Sequence, residues 1–211
     1  MNSRITKRLL AKISADGVLR ARDAVREGIA RTYIQKAVKS GQIERIGRGL
    51  YTMPGKVIGE NQTLLEATKR VPNGVICLLS ALRVHDLTTQ NPHEVWICID
   101  GKARKPNIDF PKLRVIRCSK ALLSEGVVKM RVGSLSIRLY NPARTVADCF
   151  RYRNKIGLDV AVEALRECVR KRRSKMDEIW KYAKLCRVAN VMRPYLEVIA
   201  SWPPGGPWKD I

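Results

Sequence analysis

Thr32, Gln35, Lys36 and Lys39 share one side of a helix if the chain from about Ala30 to Ser40 is wound at about 100° per residue, with Arg31 on the shoulder of that side. Ala30, Ile34, Ala37 and Val38 fall opposite and supply the apolar contact to a core. The polar side carries no carboxylate. A glutamine amide can bond both polar atoms of an adenine edge, a threonine methyl can meet a thymine methyl, and lysine or arginine can reach guanine or phosphate. These side chains therefore suit the major groove of duplex DNA. Next in the chain, Ile43–Ile46 and Leu50–Met53 read as two strands joined by Gly47-Arg48-Gly49. The two glycines allow positive φ at the tip, so Arg48 projects from a tight turn and fits the minor groove or its flanking phosphates. Arg45 on the first strand, Arg22 at the start of the preceding helix, and Lys7, Arg8 and Lys12 on the first helix add cations for the backbone.

A second arrangement with chemical content is Val95-Trp96-Ile97-Cys98-Ile99-Asp100-Gly101-Lys102, an apolar strand followed by Asp-x-Lys. Restriction-type nucleases use an acidic-x-Lys on such a strand, with another acid upstream, to hold Mg²⁺ and activate water. Asp86 or Glu94 would be that acid. The plainer account is a strand ending in an Asp-Gly turn beside a solvated lysine. His85 suits a general base or a packed helix end, and its place in a helix-like segment favours the second. Arg144 and Asp148 are spaced to pair along a helix face, contributing about 0.3–0.5 kcal/mol if that face is exposed, and we expect them to tie that helix to a sheet. Arg166, Arg170, Lys171, Arg172, Arg173 and Lys175 form the densest basic run. The run fits a charged helix end that complements the dipole, a second phosphate-contacting surface, or a dock for an acidic partner. The six cysteines stand singly among apolar neighbours, with no C-x-x-C pair and only two histidines, so buried free thiols are expected and no metal. No phosphate-loop, nucleophile-elbow or H-E-x-x-H motif occurs.

These residues need a scaffold, and the chain is long enough for one mid-sized domain or two small ones. Of 211 residues, 41 are Lys or Arg and 19 are Asp or Glu, a formal charge of +22 that calls for a polyanionic partner. Residues 1–56 hold 13 basic and 4 acidic side chains against 28 and 15 in the rest, so charge is about twice as dense in the first quarter. Gly55, Gly59 and Asn61 punctuate the chain there. The pattern predicts three short helices and a hairpin in the first part: one on Ile5, Leu9 and Ile13 ending at Gly17, one from Ala21 to Glu27, and one from Ala30 to Ser40. Beyond it, helix is expected at Gln62–Arg70 and strands at Glu94–Ile99, Leu113–Cys118, Val127–Val132 and Leu135–Tyr140. The last two form a hairpin through Gly133-Ser134. Helices follow near 142–151, 158–171, 175–187 and 191–200. The apolar run Val75–Leu82 fits either helix or strand. Strands followed by helices indicate an α+β class with a small mixed sheet. No stretch reaches the length of a membrane span, and Met1-Asn2-Ser3-Arg4 leads into no signal-peptide core, so a cytoplasmic protein is expected.

Ser40-Gly41-Gln42-Ile43 leading into Gly47-Arg48-Gly49-Leu50-Tyr51 resembles the N-terminal winged helix of AbiEi-type antitoxins. Leu79-Ser80-Ala81-Leu82-Arg83-Val84-His85-Asp86-Leu87 and Asn141-Pro142-Ala143-Arg144-Thr145-Val146-Ala147-Asp148 resemble two further landmarks of that family, in the same order. The resemblance implies a winged helix-turn-helix DNA-binding domain at 1–56, an antitoxin-like α+β domain at 57–200, and a tail at 201–211 that the family pattern does not explain. It also implies a non-enzymatic transcriptional autorepressor of a toxin–antitoxin system with a role in phage defence. Such a repressor binds repeats in its own promoter and counters a nucleotidyltransferase-like toxin encoded beside it, without a cofactor. The rival readings are a metal-dependent nuclease built on Asp100 and Lys102, and a protein-binding adaptor without promoter affinity.

Overall fold

The computed structural model describes residues 3–47, 49–55, 62–108, 110–132 and 135–201. The chain falls into two compact units, the first made of Met1–Gly74 with Lys102–Leu113 and Lys129–Arg138. It opens with helix α1 (Ser3–Asp16), strand β1 (Leu19–Arg20), α2 (Ala21–Arg26) and α3 (Arg31–Lys39). Strands β2 (Glu44–Gly47) and β3 (Leu50–Thr52) and helix α4 (Gln62–Arg70) follow. The three strands form an antiparallel sheet in the order β1-β3-β2. Leu19 faces Tyr51 across one ladder and Arg45 faces Tyr51 across the other. β1 is too short to show alternation, and only its pairing to β3 makes it a strand. Leu9, Ile13, Ala24, Ile29, Ile34, Ala37 and Ile43 are buried together beneath this sheet's flanking helices. Ala30, expected in that core, is exposed and stands at the N-cap of α3, and Ile29 is buried beside it instead.

The turn between α2 and α3 depends on one glycine. Gly28 has φ +82°, and there its N–H meets the Val25 carbonyl at 3.0 Å while the Ile29 N–H meets Ala24 at 2.9 Å. That pair of bonds closes α2 in a left-handed cap, which a side chain with a Cβ adopts only at a cost. The unit continues past residue 56 to take in α4, whose Lys69 ammonium donates to the Val18 carbonyl.

The second unit comprises Val75–Gly101, Arg114–Val128 and Leu139–Ile211. Further elements are β4 (Val75–Ile76), α5 (Leu78–Val84), β5 (Val95–Asp100), β6 (Leu113–Cys118), α6 (Lys120–Ser124), β7 (Val127–Val132) and β8 (Leu135–Tyr140). They are followed by α7 (Pro142–Arg151), α8 (Arg153–Ile156), α9 (Leu158–Arg170), α10 (Met176–Leu185) and α11 (Ala189–Ser201). The five-stranded sheet has the order β6-β5-β4-β8-β7. β4 pairs antiparallel with β5, Val75 opposite Cys98, and parallel with β8, Ile76 opposite Leu139, so the sheet is mixed. The ambiguous run at 75–82 divides: two residues of strand, then Cys77 at the N-cap, then helix from Leu78, whose φ is +45°.

Helix α7 is the centre of the second core. Asn141 caps it by accepting the Arg144 N–H at 2.8 Å, and Pro142 occupies the first turn, where no N–H is missed. Ala143 to Phe150 are all buried, with α5, α9 and α10 packed around them. Three helices of this unit end in left-handed residues that are not glycine, namely Asp86, Arg172 and Arg187. In each case the next N–H returns to the helix, Leu87 to Leu82, Arg173 to Cys168 and Val188 to Ala183, all at 2.9 Å. The segments at 56–61, Gly133-Ser134 and 202–211, which hold the junction glycine Gly59 with Asn61, the hairpin turn and nearly all of the tail, lie outside the described residues.

Candidate nucleic-acid interface

Helix α3 starts at Arg31 because Ala30 is extended, with φ −63° and ψ 147°, and it ends in a left-handed cap at Gly41. Its apolar residues at 34 and 37 fasten it to the core, which fixes what faces outward. Arg31, Thr32, Gln35, Lys36 and Lys39 are all exposed. Among the described residues none of Arg31, Lys36, Lys39 or Arg45 takes part in an ion pair. Their charge is turned to solvent and is open to an anionic partner.

Beside α3 the hairpin forms one wall of a cleft of about 350 Å³. Arg31 and Gln35 line it from the helix, Arg45 and Tyr51 from the paired strands, and Gly49 from the connection. The Arg45 Nε donates to the Gly47 carbonyl at 3.1 Å, which holds its guanidinium near the hairpin's end. The cleft brings together two cations, an amide and a phenol. That set can hold a phosphate and read a polar edge.

Thr32, Lys36, Lys39 and Arg22 are exposed but do not line the cleft. Arg48 lies outside the described residues. Lys12, offered for a phosphate contact, has its charge paired within the fold. Its ammonium lies 2.7 Å from Glu27 and 3.7 Å from Asp16, joining α1 to the end of α2. Tyr51 is the cleft residue to which sequence reasoning gave no role. The signal for it is the alternation in β3, where Leu50 and Thr52 are buried and Tyr51 between them turns to the other face.

Several of the other sequence candidates have structural partners. Arg144 and Asp148 form the expected pair, Nε to carboxylate 3.0 Å, but it is buried, with side chains 2% and 6% exposed. The exposed-pair energy therefore does not apply. The Arg144 guanidinium also lies over the Tyr140 ring, 4.8 Å from its centre, and so ties α7 to β8. In the basic run, Arg170 bonds Glu167 at 2.6 Å and Lys171 bonds Asp86 at 2.7 Å, while Arg166 approaches Glu167 at 4.0 Å. Arg172 and Arg173 stand in the cap that closes α9 and are exposed. Asp100 ends β5 and Lys102 is exposed in the turn after it. Of the acids weighed as their upstream partner, Asp86 faces Lys171 and Glu94 faces Arg114 at 4.0 Å. Among the described residues no group of three or more His, Cys, Asp or Glu could hold a metal ion.

His85 caps α5, its Nε2–H donating to the Tyr140 carbonyl at 2.7 Å. Burial lowers its pKa, against a smaller opposing effect of that hydrogen bond. On acidification the unfolded chain therefore takes up this proton first. The stability tied to a neutral His85 is present above the ordinary value of 6.5 and is lost as pH falls from there through the lowered folded value. Denaturant midpoints should drop on that acid limb, and His85→Gln should flatten it. An acid limb identical in the two proteins would contradict this.

Residues 7–54 match a family model described as "Transcriptional regulator, AbiEi antitoxin". The match runs from the first turns of α1 past the end of β3 and includes every residue that lines the cleft. It bears out the resemblance to AbiEi antitoxins in this segment. The landmarks at 79–87 and 141–148 fall outside the matched residues. No curated protein matches the chain. Among the described residues no helix is long and apolar enough to cross a membrane.

Proposed function

We propose that the chain is a sequence-specific DNA-binding autorepressor and antitoxin. The observation that carries this reading is the carboxylate-free, exposed face of α3 set beside a cationic hairpin cleft, within the segment that matches AbiEi antitoxin regulators. The element order α1-β1-α2-α3-β2-β3 with sheet order β1-β3-β2 fits a winged helix-turn-helix, which supports α3 as the helix that enters the major groove. Gln35 reads a base, Thr32 contacts a thymine methyl or phosphate, and Arg31, Lys36, Lys39, Arg45 and Arg22 hold the backbone. Arg48 on the wing's tip belongs to the same set. In this reading residues 1–56 contain the reader and the chain from 57 to 200 carries the antitoxin role, with the basic side chains at 166–173 available as a second surface. The partners are repeats in the chain's own promoter and a nucleotidyltransferase-like toxin from the neighbouring gene. The protein acts in the cytoplasm, in phage defence, by binding and without a catalytic step.

Operator binding by the purified chain, set against a shuffled duplex, tests the reading directly. Gln35→Ala is expected to cut discrimination between the two by about 1–3 kcal/mol, the range for one bidentate base contact, while leaving affinity for the shuffled duplex unchanged. Equal loss on both duplexes would remove Gln35 from base recognition. Equal affinity of the unaltered protein for both would overturn sequence-specific binding itself.

A further inference from the structure

Cys98 and Cys118, twenty residues apart in sequence, come together on neighbouring strands β5 and β6, with their sulfur atoms 3.1 Å apart. Strands in a sheet run about 4.7–4.9 Å apart, within the Cα separation a disulfide spans, and the sulfurs have only to close to about 2.05 Å. The two differ in access. Cys98 is buried and Cys118 is half-exposed on β6, an edge strand of the sheet, whereas the other four cysteines are buried. Both cysteines line a small cavity shared with Tyr140 and with Arg144, whose Nη1 is buried without a hydrogen-bond partner among the described residues.

We propose that Cys98 and Cys118 are an oxidisable dithiol, a modification site that takes a hydroperoxide as its oxidant and closes to a disulfide. Cys118 is the attacking sulfur and Cys98 the resolving one. The hydrogen bond from the Cys98 thiol lowers the pKa of Cys118, the nearby Arg144 charge acts in the same direction, and the same bond raises that of Cys98. In the first step the Cys118 thiolate attacks the terminal peroxide oxygen. An S–O bond forms as the O–O bond breaks, Cys118 is oxidised by two electrons to a sulfenic acid, and the peroxide leaves as an alkoxide that takes up a proton to become the alcohol. In the second step the Cys98 sulfur attacks the Cys118 sulfur. The S–S bond forms, the S–O bond breaks, and hydroxide leaves with the Cys98 proton as water. Two thiols and one hydroperoxide thus give one disulfide, one alcohol and one water. In a reducing compartment, exchange with small thiols returns the pair to its starting state.

The test treats the reduced full-length protein with hydrogen peroxide, blocks the remaining thiols with an alkylating reagent, and maps the peptides by mass spectrometry. Two of the six thiols should be lost together, a single linked peptide should join Cys98 to Cys118, and dithiothreitol should restore both. Cys98→Ser should stop at the sulfenic acid, trapped on Cys118 by dimedone, and Cys118→Ser should leave Cys98 alkylated and unlinked. A disulfide joining either cysteine to Cys77, or full alkylation of both after peroxide, would overturn the proposal. The mapping on the unaltered protein decides this even if a variant fails to fold.

Discussion

Replacing Arg144 with alanine should cost the protein about 3–5 kcal/mol, the range for breaking a buried ion pair by deleting one partner. The change leaves the Asp148 carboxylate in a site where its side chain is 6% exposed, with the weak Cys186 thiol donor at 3.4 Å as its remaining contact among those described here. It also removes the cation from the face of Tyr140 and with it the link between α7 and β8. A typical domain has about 5–15 kcal/mol in total, so the loss takes a large share of the whole. Equilibrium denaturation, followed by far-ultraviolet circular dichroism, measures it. The double replacement Arg144→Met with Asp148→Leu separates a charge effect from a packing effect. Two apolar side chains leave no unpaired buried charge, and such exchanges are often neutral or stabilising. The account fails if the single variant loses under about 1 kcal/mol, or if the double variant is no better than the single one.

Affinity for DNA should fall steeply with salt. The four cations Arg31, Lys36, Lys39 and Arg45, each neutralising one phosphate, give a slope of log affinity against log salt of about −3.6, which Arg22 and Arg48 steepen if they contact phosphate too. A fourfold rise in salt then weakens binding roughly 150-fold. Each cation contributes equally to that slope, so Lys36→Ala should lower its magnitude by about 0.9 for any sequence bound. Lys12→Ala should leave the slope alone, because its charge is already engaged by Glu27 and Asp16. Binding measured over a range of salt settles both points. A flat response, or a Lys12 effect equal to that of Lys36, would show that DNA does not lie on the α3 face.

The face of α3 was legible because helical periodicity acts over nine residues with no competing signal, and the chain's apolar residues at 34 and 37 leave one orientation only. The strands at 113–118, 127–132 and 135–140 were legible for a similar reason: each fills its own length with alternating or β-branched residues. Local pattern said nothing of β1, α6 or α8, with two, five and four residues, because none spans enough of a period to be seen. Depth was also hidden. The spacing of Arg144 and Asp148 announced a pair, but burial depends on the helices that pack around α7, and no i, i+4 rule carries that information. The same limit explains the cysteines. Read one at a time they are small apolar residues, and only the pairing of β5 with β6 sets two of them face to face. Tyr51 joins the cleft through the ladders on either side of β3, which are equally non-local.

The way the first unit is assembled bears on how its gene can be shuffled. The glycine-punctuated stretch after the hairpin is where a breakpoint between related genes would leave the chain's charge step intact. Yet a crossover there parts the Lys69 ammonium from the Val18 carbonyl and removes Arg70, whose guanidinium fills the space that a Cβ on Gly47 would need. A transplanted N-terminal segment must therefore bring α4 with it. Residues 102–113 and 129–138 belong to the same unit and are encoded further downstream, so no single exchange hands the unit on whole. Under the proposed function, inheritance then favours change by point substitution on the α3 face, where new side chains would alter the operator without disturbing the frame that holds them.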